Sequence, residues 1–132
     1  MKIKLQKVAY MPKQLEAGVL YVAEEFGAAA HLCPCGCGSK VRTPLGPTEW
    51  RLEETPNGPT LDPSVGNWQL ACKSHYWIQD GEINWAEKWT PRQIKRGRAF
   101  EQARRERYYD STTHNRSRAR RMLDKLMRIF KR

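Results

Sequence analysis

The chain has 132 residues, a formal net charge of +10, 39% hydrophobic residues and four cysteines. That length fits one domain of ordinary size, or a smaller domain with an appendage. No stretch nears the roughly 18 consecutive apolar residues of a membrane span, Met1-Lys2-Ile3-Lys4-Leu5 is not the start of a secretory signal, and the mix of Trp, Pro and Gly excludes collagen, an end-to-end coiled coil and wholesale disorder.

Seven of the nine glycines lie in residues 18–66 and seven of the eight prolines precede residue 64, which breaks helices and favours short strands joined by turns. In chain order, Leu5–Val8, Gly18–Val22, Val41–Leu45, Glu49–Leu52, Tyr76–Ile78 and Ile83–Trp85 are strand candidates, rich in β-branched and aromatic residues. Asn57-Gly58 and Asp80-Gly81 are hairpin turns, the second joining the last two strands. The reading is a small, mostly antiparallel β domain over residues 1–90. Thr90-Pro91 then opens a helical extension over residues 91–132, with Thr90 as cap and Pro91 at the first helical position. Two helices are expected there, about 91–109 and 117–130, separated by the polar run Ser111-Thr112-Thr113-His114-Asn115. Ala119, Met122, Leu123, Leu126, Ile129 and Phe130 form the apolar stripe of the second. Charge divides at the same boundary. Residues 1–90 hold 9 Lys/Arg and 10 Asp/Glu, a net of −1, while residues 91–132 hold 15 and 4, a net of +11.

Cys33-Pro34-Cys35-Gly36-Cys37-Gly38 places three cysteines within five residues. In a chain without export signals, and hence expected in the cytoplasm, such clusters bind metal rather than form disulfides. With Cys72 they supply four thiolates, enough for a closed tetrahedral zinc that stabilises the β domain. The Cys-x-Cys-x-Cys spacing is tighter than the usual Cys-x-x-Cys knuckle, so His31 or His75 stands as an alternative ligand. A closed four-thiolate site is structural. An open one would activate water with a carboxylate as base.

The run His31-Leu32-Cys33-Pro34-Cys35-Gly36-Cys37-Gly38, with Thr43–Trp50, Leu61–Trp68 and Cys72–Ile78 following in order, resembles a family of small bacterial proteins. The similarity covers about residues 18–90 and leaves out the tail. Members of that family are encoded beside ubiquitin-like proteins and their activating and conjugating enzymes. The resemblance implies those partners, and a protein that processes or removes the modifier.

Hydrolysis by serine needs a hydroxyl, a base and donors for the oxyanion. Ser64 lies in Pro63-Ser64-Val65-Gly66-Asn67, read as a constrained turn, and His75 follows eleven residues later. Asn67 is a candidate to orient the histidine or to donate to the oxyanion. Asp62, Glu49, Asp80 and Glu82 are candidates for a carboxylate on the imidazole. If residues 72–78 are extended, Cys72 and Ser74 share one face and His75 takes the other, free of the metal. A knuckle would instead bring Cys72 and His75 together on zinc. Trp50, Trp68, Trp77, Trp85 and Trp89 are expected in the core or at a groove rim. The expected function is therefore a deubiquitinase-like serine hydrolase on a zinc-stabilised domain. The alternatives are a zinc-dependent hydrolase, a non-catalytic zinc-binding adaptor of the conjugation system, or a nucleic-acid-binding protein acting through residues 91–132. The basic tail also suits an acidic protein partner, an anionic membrane surface, or packing against its own sheet.

Overall fold

A computed structural model describes residues 1–130, and the side chains of these except 112–117 and 128–130. Among the described residues eight strands form two four-stranded sheets. The first comprises β1 (Lys4–Lys7), β2 (Val19–Ala23), β3 (Ala28–Leu32) and β4 (Lys40–Arg42), in that spatial order. The second comprises β5 (Arg51–Thr55), β6 (Gly58–Gly66), β7 (His75–Gln79) and β8 (Glu82–Trp85), again in chain order. Only the β1–β2 pair is parallel; the other ladders are antiparallel.

Alternation along the strands explains the core. Leu20, Val22, Ala29 and Val41 from the first sheet join Leu61, Val65, Tyr76, Ile78 and Ile83 from the second in one buried cluster. Each fully buried Leu, Ile or Val contributes about 1.5–3 kcal/mol. The N-terminal segment ties the sheets together: Ile3 N–H donates to the Gly81 carbonyl at 2.8 Å, and Ile83 N–H donates to the Met1 carbonyl at 2.9 Å. Asp80 and Gly81 both adopt positive φ, at 50° and 74°, as the tight β7–β8 turn demands. A Cβ at Gly81 would clash with the Asn57 carbonyl of the neighbouring hairpin, so two turns that read independently in sequence pack against each other.

Two strands escape a reading by residue type. β3 is built on Ala28-Ala29-Ala30, residues with little strand preference, and is held by pairing on both sides. β6 begins and ends on glycine and contains Pro59 and Pro63, yet it is the longest strand. Ser64 therefore sits within a strand, not in the expected turn. The tail also differs from expectation. Residues Pro91–Phe130 form one helix, α1, rather than two. The polar run 111–115 contains neither Pro nor Gly, and the helix penalty of Ser, Thr, His and Asn is only about 0.5–0.7 kcal/mol each, too little to impose a break. Ala119, Met122, Leu123 and Leu126 of the stripe are exposed on α1, and the side chains of Ile129 and Phe130 lie outside the described residues. The chain divides into two compact units, Met1–Pro91 and Arg92–Arg132. No described helix is long and apolar enough to cross a membrane.

Candidate active site and metal centre

β6 and β7 are neighbours in the second sheet, and their register is irregular. The pairing steps from Leu61↔Ile78 to Val65↔Tyr76, so four residues of β6 oppose two of β7. This bulge carries Ser64. The Ser64 hydroxyl lies 2.9 Å from His75 Nε2. The other ring nitrogen, Nδ1, lies 2.9 Å from the main-chain carbonyl of Glu87. A carbonyl only accepts, so a neutral imidazole carries its proton on Nδ1 and turns the Nε2 lone pair toward the serine hydroxyl. A main-chain oxygen thus fills the place where a carboxylate was expected.

The surroundings hold this pair. His75 is buried and Ser64 half-buried. Trp68 and Trp89 stack on each other at 5.2 Å between ring centroids, and each meets the His75 ring edge-on, at 5.0 and 5.3 Å. Such aromatic contacts contribute about 0.5–1.5 kcal/mol each beyond burial and restrict the imidazole's rotation. Trp50 Nε1 donates to the Ser64 carbonyl at 3.4 Å, fixing the bulged backbone. Gly66 is required here, because a Cβ would fall 2.6 Å from the Trp68 ring.

On the other side of β7 lie the cysteines. The Sγ atoms of Cys33, Cys35, Cys37 and Cys72 all lie within 4.8 Å of one another. Cys33 and Cys72, and Cys37 and Cys72, are 3.9 Å apart, and Cys33 and Cys35 3.3 Å. A tetrahedral ion with metal–sulfur bonds of about 2.3 Å sets its sulfurs about 3.8 Å apart, so the cluster fits a four-thiolate site. The thiols resist ionising together. Burial raises the Cys33 thiol, a hydrogen bond with Cys33 pushes Cys35 up to about 12, Ser39 draws Cys37 down to about 6, and Ser74 lowers Cys72. A bound cation removes that conflict.

A buried chain of hydrogen bonds supports the cluster. Asn67 Nδ2 donates to Ser74 Oγ at 2.9 Å and reaches Tyr76 Oη at 3.4 Å. Ser74 Oγ lies 3.2 Å from Cys33 Sγ, placed to donate to a thiolate. Tyr76 Oη in turn meets His31 Nε2 at 2.6 Å. Burial lowers the His31 pKa to about 4, which keeps the ring neutral, and its Nδ1 meets no partner among the described residues.

The structure thus brings Ser64 and His75 together, and gathers Cys33, Cys35, Cys37 and Cys72 separately. His75 is engaged by Ser64 and Glu87 and His31 by Tyr76. Residues 72–78 are only partly extended, because β7 starts at His75 while Cys72 and Lys73 lie in a turn with Lys73 at φ 45°. The Asn67 side chain is not at the imidazole. It lies with Ser74 and Tyr76 on the cysteine side. The Glu87 carbonyl went unforeseen, since a main-chain acceptor leaves no mark in residue type. Trp68 and Trp89 were visible as tryptophans, but only the fold brings them onto His75.

A family described as "Bacterial ubiquitination-like system serine protease (BubE)" matches residues 7–86. No curated protein and no solved structure matches. The matched segment spans every strand from β2 to β8, together with Ser64, His75 and all four cysteines. With more than half its length matched, the chain belongs to the BubE family of serine proteases of bacterial ubiquitination-like systems.

Proposed function

We propose that the protein cleaves the acyl bond at the C-terminus of a bacterial ubiquitin-like protein, in a precursor or a conjugate, with Ser64 as nucleophile and His75 as base. The observation that carries this reading is the 2.9 Å contact from Ser64 Oγ to His75 Nε2, with Nδ1 held by a carbonyl. Family membership supports the peptidase class and the ubiquitin-like pathway.

In the first half-reaction the Ser64 hydroxyl proton passes to His75 Nε2 as Oγ bonds to the substrate carbonyl carbon. The imidazolium is stabilised by the Nδ1–H···O=C bond to Glu87. The tetrahedral species then expels the leaving amine or alkoxide, which takes the proton from Nε2, and an ester remains on Ser64. Water attacks that ester with His75 again as base, releasing the carboxylic acid and restoring the hydroxyl.

Cys33, Cys35, Cys37 and Cys72 would hold a structural zinc. Bound there, the ion supplies a cross-link between the β3–β4 loop and the start of β7. Four thiolates complete a tetrahedral shell, which favours a structural role over an open, water-activating site. Asn67 and Ser74 act on this side, holding Cys33 and the backbone that leads into His75. Asn67 N–H also donates to the Ser74 carbonyl at 2.9 Å.

The test is cleavage of the cognate ubiquitin-like protein carrying a C-terminal extension. Ser64→Ala and His75→Gln are each expected to lower kcat by about 10³-fold or more, with the fold retained by circular dichroism. Wild-type rates in Ser64→Ala would refute the serine mechanism and return the protein to the adaptor reading.

A further inference from the structure

Among the described residues, two strand edges without main-chain partners face one cleft that adjoins the Ser64 main chain through Val65 and Trp50. Thr43 N–H donates to the Ala29 carbonyl and Cys33 N–H to the Ser39 carbonyl, at 2.9 Å each. Residues 39 and 43 therefore direct their main-chain groups toward β3. Lys40 and Arg42, which alternate with them, direct theirs outward, and β4 is the last strand of its sheet. The same alternation applies on β6. Asn67 N–H bonds to Ser74, and Ala86 N–H bonds to the His75 carbonyl on the β8 side, so Gly66 and His75 form a pair without mutual hydrogen bonds. The Gly66 N–H and C=O consequently point away from β7. On that side β5 reaches no further than its first residue, Arg51, opposite Asp62.

Lys40, Arg42, Trp50, Val65 and Gly66 line one cleft of about 230 Å³. Ser64 abuts it in sequence through Val65 and in space through the Trp50 indole on its carbonyl. Lys40 and Arg42 are exposed and carry no ion pair among the described residues.

We infer that this cleft is the subsite for the C-terminal segment of the ubiquitin-like substrate, bound extended as an added strand. This rests on the serine reading above and adds to it a place for the substrate chain. The open main-chain groups of Lys40, Arg42 and Gly66 pair with the substrate backbone, which is how an extended segment gains affinity from a sheet edge. The small volume admits backbone with small side chains beside Gly66. The two cations select a segment with acidic side chains flanking it.

The experiment compares two substrates on the full chain: the C-terminally extended ubiquitin-like protein, and p-nitrophenyl acetate, which reports the Ser64–His75 pair without filling a subsite. Arg42→Pro deletes an outward N–H without removing a bond to β3. The double variant Lys40→Glu/Arg42→Glu reverses the charge and keeps the backbone. Both are expected to lower the ratio of protein cleavage to ester cleavage at least tenfold, mainly through KM. In Ser64→Ala mixed with the same protein substrate, the amides of Lys40, Arg42 and Gly66 are expected to gain protection from hydrogen exchange. If Arg42→Pro does not fold, the charge reversal decides. An unchanged ratio, or protection confined to β1, β5 or β8, overturns the subsite while leaving the serine mechanism intact. Wild-type turnover of both ester and protein in Ser64→Ala overturns the serine mechanism itself.

Discussion

At the scale of single residues, the unusual member of the site is a main-chain oxygen. The Glu87 carbonyl accepts the hydrogen bond from His75 Nδ1–H and so sets the tautomer, work that a carboxylate does in the familiar triad. Because every residue type supplies that carbonyl, Glu87→Ala is expected to keep kcat within about twofold. Asp62→Asn, Asp80→Asn and Glu82→Gln should do the same. If a carboxylate were the orienting group, its removal would cost about 10⁴-fold. Steady-state cleavage kinetics of these four variants decide the point. Gly66 is the second sensitive position. The Cβ of Gly66→Ala would force Trp68 off its place against His75, with an expected overpacking cost of about 1–3 kcal/mol. A lowered Tm and a reduced kcat should appear together.

At the scale of elements, β7 sets the cysteine cluster and the Ser64–His75 pair on opposite faces. Ser74 and Tyr76 point toward the cysteine cluster and His31, while His75 between them points to Ser64 and the two tryptophans. A metal held by Cys33 and Cys72 would therefore fix the backbone that leads into His75. Removing it with a chelator is expected to lower Tm and cleavage in parallel, and added zinc should restore both. Ser74→Ala should weaken metal retention about 10–100-fold, the usual scale for a hydrogen-bonding partner of a metal ligand. Competition with a chromophoric chelator measures it. Cleavage that persists undiminished without metal would contradict this coupling.

Legibility in the sequence followed the same division. Strands rich in β-branched and aromatic residues, such as β2, β7 and β8, are readable from residue type, β2 as an apolar run buried throughout. β3 is not, because Ala28-Ala29-Ala30 carries little strand preference and is held by pairing on both sides. β6 is not, because Pro63 and Gly66 serve the bulge and the Trp68 contact, and both types signal turns elsewhere. Ser64 and His75 were identifiable as residue types at a workable separation. The bulge that joins them, and the Glu87 carbonyl behind them, depend on register across the sheet, which no local pattern encodes.

At the scale of the molecule, the charge and the site belong to different units. The net of +11 lies in residues 91–132, while the Ser64–His75 pair, the cysteines and the family match lie in residues before it. Phe100, Tyr109, Met122, Leu123, Leu126 and Met127 are exposed along α1 among its arginines. This pattern suits an anionic partner, whose attraction weakens with added salt. Truncation after Pro91 is expected to leave kcat for the ubiquitin-like substrate within about twofold, and to abolish salt-sensitive retention on heparin and on duplex DNA. Loss of cleavage on truncation would instead make the helix part of the catalytic unit.

The proposed mechanism requires that His75 activate Ser64. The most direct measurement is site-resolved mass spectrometry after reaction with a fluorophosphonate probe, which labels activated serines. A single adduct on Ser64 is expected, nearly absent in His75→Gln and undiminished in Glu87→Ala. Active enzyme that cleaves its substrate but carries no adduct on Ser64, or an adduct equally strong without His75, would contradict it.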